Sequence, residues 1–261
     1  MSTNIEKKVV NIGDLQIGGD KKIIIAGPCS IESRDHIIDE AVELKKIGVD
    51  ILRGGAFKPR TSPYDFQGLG FEAVNYLKEA KDKTGLIIAT EVLSESDVDK
   101  MKDLIDIFQI GSRNMYNYAL LKKVARTGKP IILKRGFSAT LNEWEMAGKY
   151  IELEGNSNII FCERGIRTFE RETRNTLDLA GAYLLKKKTS YPVIVDPSHG
   201  TGRRDLIEPL VRASLAMGLD GIMVEVHKCP DNAKSDAKQT IDYETYKKIS
   251  EYVGKFNENR A

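Results

Sequence analysis

Eight short apolar runs at a nearly even spacing constrain this chain more than any other feature. They read KIIIAGP (22–28), DILRGG (50–55), LIIATEV (86–92), DIFQIGS (106–112), PIILKRG (130–136), NIIFCERG (158–165), PVIVDPSHG (192–200) and GIMVEVH (221–227). Each is rich in Ile and Val and close to uninterrupted, the pattern of a parallel strand buried on both faces. Amphipathic stretches separate them. In SRDHIIDEAVELKKIG, Ser33 is placed to cap a helix, Ile37, Ile38, Ala41, Val42 and Leu44 form its apolar stripe, and Gly48 is its stop. SESDVDKMKDL opens with Ser94 and an acidic first turn. RRDLIEPLVRASLAMG predicts one helix kinked at Pro209.

Eight strand–helix units recurring every 28 residues or so predict an α/β chain folded as a (β/α)8 TIM barrel over residues 22–261. An open doubly wound sheet is the alternative. Ahead of the barrel, residues 1–21 hold VVNIGDLQIGG, which reads as a short hairpin extension with Gly-rich turns.

Forty Lys and Arg face 38 Asp and Glu, so bulk charge points to neither nucleic acid nor an anionic membrane as partner. No apolar run reaches membrane length, and the first residues have no signal-peptide core. The three cysteines are Cys29, Cys162 and Cys229, a set too sparse and odd-numbered for a disulfide framework. The expectation is a cytoplasmic protein. Cys162 reads as core, Cys229 is given no role, Trp144 and Tyr150 read as packing, and His36 as a solvated helix residue.

In a barrel enzyme the site gathers at the C-terminal ends of the strands. Here those ends carry Cys29, Arg53, Glu91, Gln109 with Arg113, Lys134 with Arg135, Glu163 with Arg164, Asp196 with His199, and Glu225 with His227. Any one of them could be an ordinary wet strand end. Together with Lys58, Arg60 and Arg167 they form a rim so cationic that an anion is needed between the charges. LRGGAFKPRTSPY (52–64) reads as a cradle for phosphate esters, because Arg offers a planar fork and Lys a point charge.

Cys29, His199, Glu225 and Asp236 offer one sulfur, one nitrogen and two oxygens, though without the C-x-x-C or H-E-x-x-H spacing of a metal motif. The ends of the first, seventh and eighth strands are neighbours in a closed barrel. Glu225 and His227 share a strand face with Met223 and are expected to point into the mouth. Mixed S, N and O donors suit Mn, Fe, Co or Zn better than Mg or Ca. Read alone, Cys29 is equally a small buried apolar residue.

The motifs AGPCSIES (26–33), LRGGAFKPRTSP (52–63), QIGSRN (109–114), LKRG (133–136), CERGIRTFE (162–170), VDPSHGTGRR (195–204) and GIMVEVHKCPDNAKSD (221–236) follow in order over nearly the whole chain. In them the chain resembles the 3-deoxy-D-arabino-heptulosonate 7-phosphate synthases of the short type I beta kind. The resemblance implies condensation of phosphoenolpyruvate with erythrose 4-phosphate, the first step of the shikimate pathway. It implies that Cys29, His199, Glu225 and Asp236 hold an essential divalent metal ion. It further implies that Arg113, Lys134 and Arg164 bind phosphoenolpyruvate, helped by Gly111 and Ser112, with Arg53 and Lys58 on its carboxylate side. Arg60 and Thr61 would take erythrose 4-phosphate, with Pro59 setting the gap between the two substrates. Lys58 is the expected proton donor, Glu163 the candidate for handling water, and His199 both ligand and catalytic group.

The nearest alternative is the sister synthase that takes arabinose 5-phosphate and makes 3-deoxy-D-manno-octulosonate 8-phosphate. KPRTSP argues against it, since that family shows an Asn-Arg-Ser pattern there. The resemblance also implies a homo-dimer or homo-tetramer. No segment at either end has room for a fused regulatory module, so insensitivity to aromatic amino acids is expected.

Overall fold

The computed structural model describes residues 7–60 and 62–259. A two-stranded antiparallel hairpin comes first, β1 (Val10–Ile12) and β2 (Leu15–Ile17). Eight parallel strands then close into a barrel: β3 (Ile23–Gly27), β4 (Ile51–Arg53), β5 (Ile87–Glu91), β6 (Ile107–Ile110), β7 (Ile131–Lys134), β8 (Ile159–Glu163), β9 (Val193–Val195) and β10 (Gly221–Glu225). β10 pairs with both β9 and β3, which seals the cylinder and leaves no free edge. The eight predicted runs are these eight strands.

The described helices are α1 (Arg34–Ile47), α2 (Phe71–Thr84), α3 (Glu95–Met101), α4 (Tyr118–Ala125), α5 (Leu141–Glu152), α6 (Leu179–Thr189), α7 (Pro197–Thr201), α8 (Ile207–Ala216) and α9 (Tyr243–Glu258). Their ends follow local chemistry. Ser33 Oγ accepts from His36 N, and Gly48 ends α1 in the left-handed region. Ser94 and Asp97 form a reciprocal capping box on α3, as Thr140 and Glu143 do on α5. Pro209 does not kink a long helix. The chain makes a 3-10 turn over Arg204–Leu206 and α8 starts at Ile207, so Pro209 lies in the first turn, where its missing N–H leaves no helical bond unmade.

Strand alternation sorts the side chains into two layers. Ile23, Ile25, Ile51, Ala89, Ile107, Ile132, Ile160, Cys162, Ile194 and Met223 fill the barrel interior. Their neighbours, such as Ile24, Leu52, Ile88, Phe108, Leu133 and Phe161, face the helices. Val10 and Ile17 of the hairpin belong to the interior cluster, so the extension plugs the N-terminal end of the barrel. The first six residues of the expected extension lie outside the described residues. Among the described residues no helix is long and apolar enough to cross a membrane.

A candidate active site at the barrel mouth

The same alternation decides which polar residue at each strand end reaches the cleft. Continuing the interior rows upward gives Cys29, Arg53, Glu91, Gln109, Lys134 and Arg164, and all of these line one pocket together with His199, which α7 carries beyond the end of β9. Lys58, Pro59, Arg60, Gly111, Ser112, Arg113, Arg174 and Asp236 complete its wall. Thr61 lies outside the described residues.

Three expected rim residues are elsewhere. Arg135 and Glu163 follow the outward row after Leu133 and Phe161. They pair with each other at 2.9 Å under the helices, where Arg135 also meets Asp178 and Glu163 accepts from Gly165 N. Glu163 does not line the cleft and so is not placed to handle water there. His227 turns away from the mouth as well. Its ring lies 4.7 Å from that of His36, and its Nε2 is 3.8 Å from Glu32 Oε1.

His36 is thus not solvated: burial, reinforced by His227, lowers its pKa to about 4. Glu32, His36 and His227 approach as closely as metal ligands do. Yet Nδ1 of His36 accepts from Glu32 N, and Nδ1 of His227 accepts from Cys229 N. A ring whose Nδ1 accepts in this way carries its proton on Nε2 and has no lone pair there to give to a metal. The cluster packs the segment after β10 against α1.

Cys29, His199, Glu225 and Asp236 present one ligand atom each within 4.8 Å of one another. Asp196 orients the imidazole: its Oδ2 accepts from His199 Nδ1 at 2.7 Å and from Lys134 Nζ at 2.6 Å. Burial keeps His199 neutral, with a pKa of about 4, so Nε2 presents a lone pair. That lone pair faces Glu225 Oε1 at 3.2 Å. Two lone pairs at that separation repel unless a cation lies between them, and this fits a metal ion. Burial would raise the Glu225 carboxyl, but His199, Lys58 and Arg53 more than offset it and hold it at about 2. Burial and the Glu225 charge push the Cys29 thiol up, so metal binding there must displace a proton. Lys58 Nζ lies 2.7 Å from Cys29 Sγ and 3.0 Å from Asp236 Oδ2. Burial lowers the Lys58 pKa, but the Cys29 sulfur together with the charges of Glu225 and Asp236 outweighs it and leaves it raised.

The cations of the cleft differ in how they are matched. Arg53 donates to Glu225 Oε1 at 2.8 Å, Lys134 to Asp196, and Arg60 to Ser235 Oγ and Asp65. Arg113 and Arg164 have no carboxylate within 4.0 Å among the described residues, and both lie over the Phe137 ring. Arg164 is only 3% exposed, and burial lowers its pKa. A buried guanidinium with no carboxylate in contact calls for an anion from outside.

Glu91 is a cleft carboxyl whose role the strand ends alone did not reveal. Its oxygens pass so close to Gly111 that a Cβ there would lie 1.9 Å from Oε1. Burial raises its pKa, against the pull of Lys134 and Lys58. The signal was available: Glu91 falls on the interior row two residues after Ala89, whereas Glu163 follows Phe161 on the outer row.

A family model described as the DAHP synthetase I family matches residues 3–260. A phospho-2-dehydro-3-deoxyheptonate aldolase of Thermotoga maritima is 50% identical over 250 residues, 96% of this chain and 74% of that protein. A 2-dehydro-3-deoxyphosphooctonate aldolase of Rickettsia prowazekii is 32% identical over 93% of this chain and 94% of its own length. The crystal structure of the Thermotoga maritima aldolase, a DAHP synthase, superposes with a TM-score of 0.94 at 48% identity, covering 97% of this chain and 74% of that one. A truncated form of the 3-deoxy-D-arabino-heptulosonate 7-phosphate synthase from the same organism gives 0.90 at 45% identity, covering 97% and 93%.

Proposed function

Because the chain belongs to the DAHP synthetase I family, we propose that its cleft joins phosphoenolpyruvate to erythrose 4-phosphate, taking up water and releasing phosphate. The observation that carries this reading is the buried Arg164, with no carboxylate in contact, beside Arg113, an anion site next to a four-ligand metal set. The 50% identity to a heptonate aldolase, against 32% to an octonate aldolase, favours the four-carbon sugar over arabinose 5-phosphate.

Arg113, Arg164 and Lys134 take phosphoenolpyruvate, with the backbone of Gly111 and Ser112 beside them. Arg53 and Lys58 serve its carboxylate side. Arg60 takes the sugar phosphate with Thr61, and Pro59 fixes its distance from Lys58. Fixing both anions this way removes translational freedom before the reaction, an effect worth up to about 7–11 kcal/mol in ideal geometry. Cys29, His199, Glu225 and Asp236 hold a divalent ion, with Mn, Fe, Co or Zn suited to the donors, and when bound it supplies Lewis acidity toward the aldehyde oxygen.

The C2=C3 π pair of phosphoenolpyruvate forms a bond from C3 to the aldehyde C1, the C=O π pair moves onto the aldehyde oxygen, and C2 is left electron-poor. Lys58, the ammonium nearest the metal set, gives its proton to the oxygen left at C1. Water adds at C2 and passes one proton to Glu91; the hemiketal then expels phosphate by C–O cleavage, its hydroxyl proton leaving with the phosphate as the C2 carbonyl forms. Asp196 keeps His199 Nδ1 protonated throughout, which confines His199 to its ligand role.

The extension over 1–21 and the barrel over 22–261 form part of the same proposal, as does a dimer or tetramer, which sedimentation tests. The reaction itself is tested by offering metal-loaded protein phosphoenolpyruvate with either sugar phosphate. A seven-carbon product with one phosphate released per turnover supports it. An eight-carbon product from arabinose 5-phosphate alone would sink it.

A further inference from the structure

Gln239 is 2% exposed and lies three residues after Asp236, in a 3-10 turn over Ala237–Gln239 whose N–H bonds Asp236 O at 3.1 Å. Its amide touches two different charges. Nε2 donates to Glu225 Oε2 at 2.6 Å, and Oε1 accepts from Arg174 Nη1 at 3.0 Å. The orientation is not arbitrary, because only the NH2 end can face a carboxylate and only the oxygen can face a guanidinium. Arg174 in turn reaches Asp236 Oδ1 at 3.4 Å and lines the cleft, while its backbone N–H is held by Thr201 O at the end of α7, the helix that carries His199. Glu225, Gln239, Arg174 and Asp236 therefore close a ring of contacts around two of the four ligands. The ring has two consequences. The amide occupies Glu225 Oε2, while Oε1, which accepts from Arg53 Nη1 at 2.8 Å, is the oxygen turned to His199 Nε2. It also braces Asp236, whose backbone sits at φ 50° without being glycine, a conformation that persists only where neighbours impose it.

We propose that Gln239 is a positioning residue for the metal set: it fixes Glu225 as a one-oxygen ligand and, through Arg174, ties Asp236 to the substrate cleft. This rests on the metal reading of Cys29, His199, Glu225 and Asp236. The test titrates chelator-stripped protein with cobalt(II) and follows the thiolate-to-cobalt absorption band, a readout independent of turnover. The parent is compared with Gln239→Leu, with Gln239→Glu, and with Trp144→Phe as a variant destabilised at a residue that does not line the cleft. The parent should show one band saturating at one equivalent. Gln239→Leu and Gln239→Glu should each weaken cobalt binding about 10–100-fold, the usual effect of losing a residue that orients a metal ligand. Trp144→Phe should leave it within twofold.

No band in the parent overturns the metal reading itself. A parent band with Gln239→Leu within twofold of it overturns the Gln239 inference alone. So does a Trp144→Phe loss as large as that of the Gln239 variants, which would make the effect one of general stability. If Gln239→Leu fails to fold, Gln239→Glu decides, since it keeps an acceptor for Arg174 but sets a carboxylate against Glu225. Parental affinity in that variant overturns the proposal.

Discussion

Glu40 on α1 is a buried carboxyl held by the Tyr243 hydroxyl at 2.7 Å, and burial raises its pKa from 4.5 to about 8. Between those two values the unfolded chain has lost the proton while the folded chain keeps it. Stability therefore falls as pH rises across that window, by about 1.4 kcal/mol per unit at most, and is undiminished below it. Glu40→Gln should flatten the dependence and exceed the parent in urea midpoint at pH 8.5, while matching it near pH 4.5. An unchanged slope would show that Glu40 is ionised in the fold. The two candidate water-handling acids separate in the same way. Glu91→Gln should cost about 10²–10⁴ in kcat with no loss of stability. Glu163→Gln breaks the buried pair with Arg135 and should cost about 3 kcal/mol of stability, with a much smaller effect on kcat. Paired measurements of kcat and urea midpoint check both. At this scale the sequence showed which residue types gathered at the mouth but not always which way they pointed. His36 read as solvated because Glu32, His36 and Glu40 lie four apart among charged neighbours. Only the position of the segment after β10, which no local pattern encodes, buries that row.

Among the elements, α5 and the β3–β4 edge are the sharpest tests. Trp144 on α5 is fully buried, donates Nε1–H to Leu133 O at 3.1 Å and packs edge-on against Phe161. Trp144→Phe should cost about 1–3 kcal/mol for the lost bond, and Trp144→Ala about 3–5 kcal/mol, both read from denaturant unfolding. Gly55, just beyond β4, lies so close to the loop of Cys29 that a Cβ would sit 2.3 Å from Cys29 O. Gly55→Ala must therefore push the Cys29 loop aside and should abolish one-equivalent cobalt binding while the far-ultraviolet circular dichroism stays that of a barrel. Retained cobalt affinity would mean that the loop tolerates the shift. The strands themselves were legible because a run buried on both faces must be apolar throughout. Their upper ends were not, because both rows turn polar there. Counting by twos from Ile132 or Ile160 separates Lys134 and Arg164 from Arg135 and Glu163, and that count was missed; the same count from Met223 holds for Glu225 and fails at His227, because β10 ends at Glu225. Pro209 misled for a related reason: a first-turn proline and a mid-helix proline look alike until the helix start is known.

For the molecule as a whole, closure of eight strands brings Cys29, His199, Glu225 and Asp236 together from the first strand end, the seventh, the eighth and the loop beyond it. Their chain separations carry no metal-motif spacing, so only the barrel, or a resemblance, unites them. The hairpin closes the opposite end with Val10 and Ile17, which keeps the interior dry beneath the cleft. In the proposed reaction this four-ligand set, beside a buried arginine with no carboxylate in contact, makes an anion-binding barrel into a synthase. The most direct measurement strips the protein with a chelator and follows phosphoenolpyruvate consumption with erythrose 4-phosphate as manganese is returned. The stripped protein should show no turnover, with a linear return that ends at one equivalent per chain. Full turnover by the stripped protein would contradict a metal-dependent synthase.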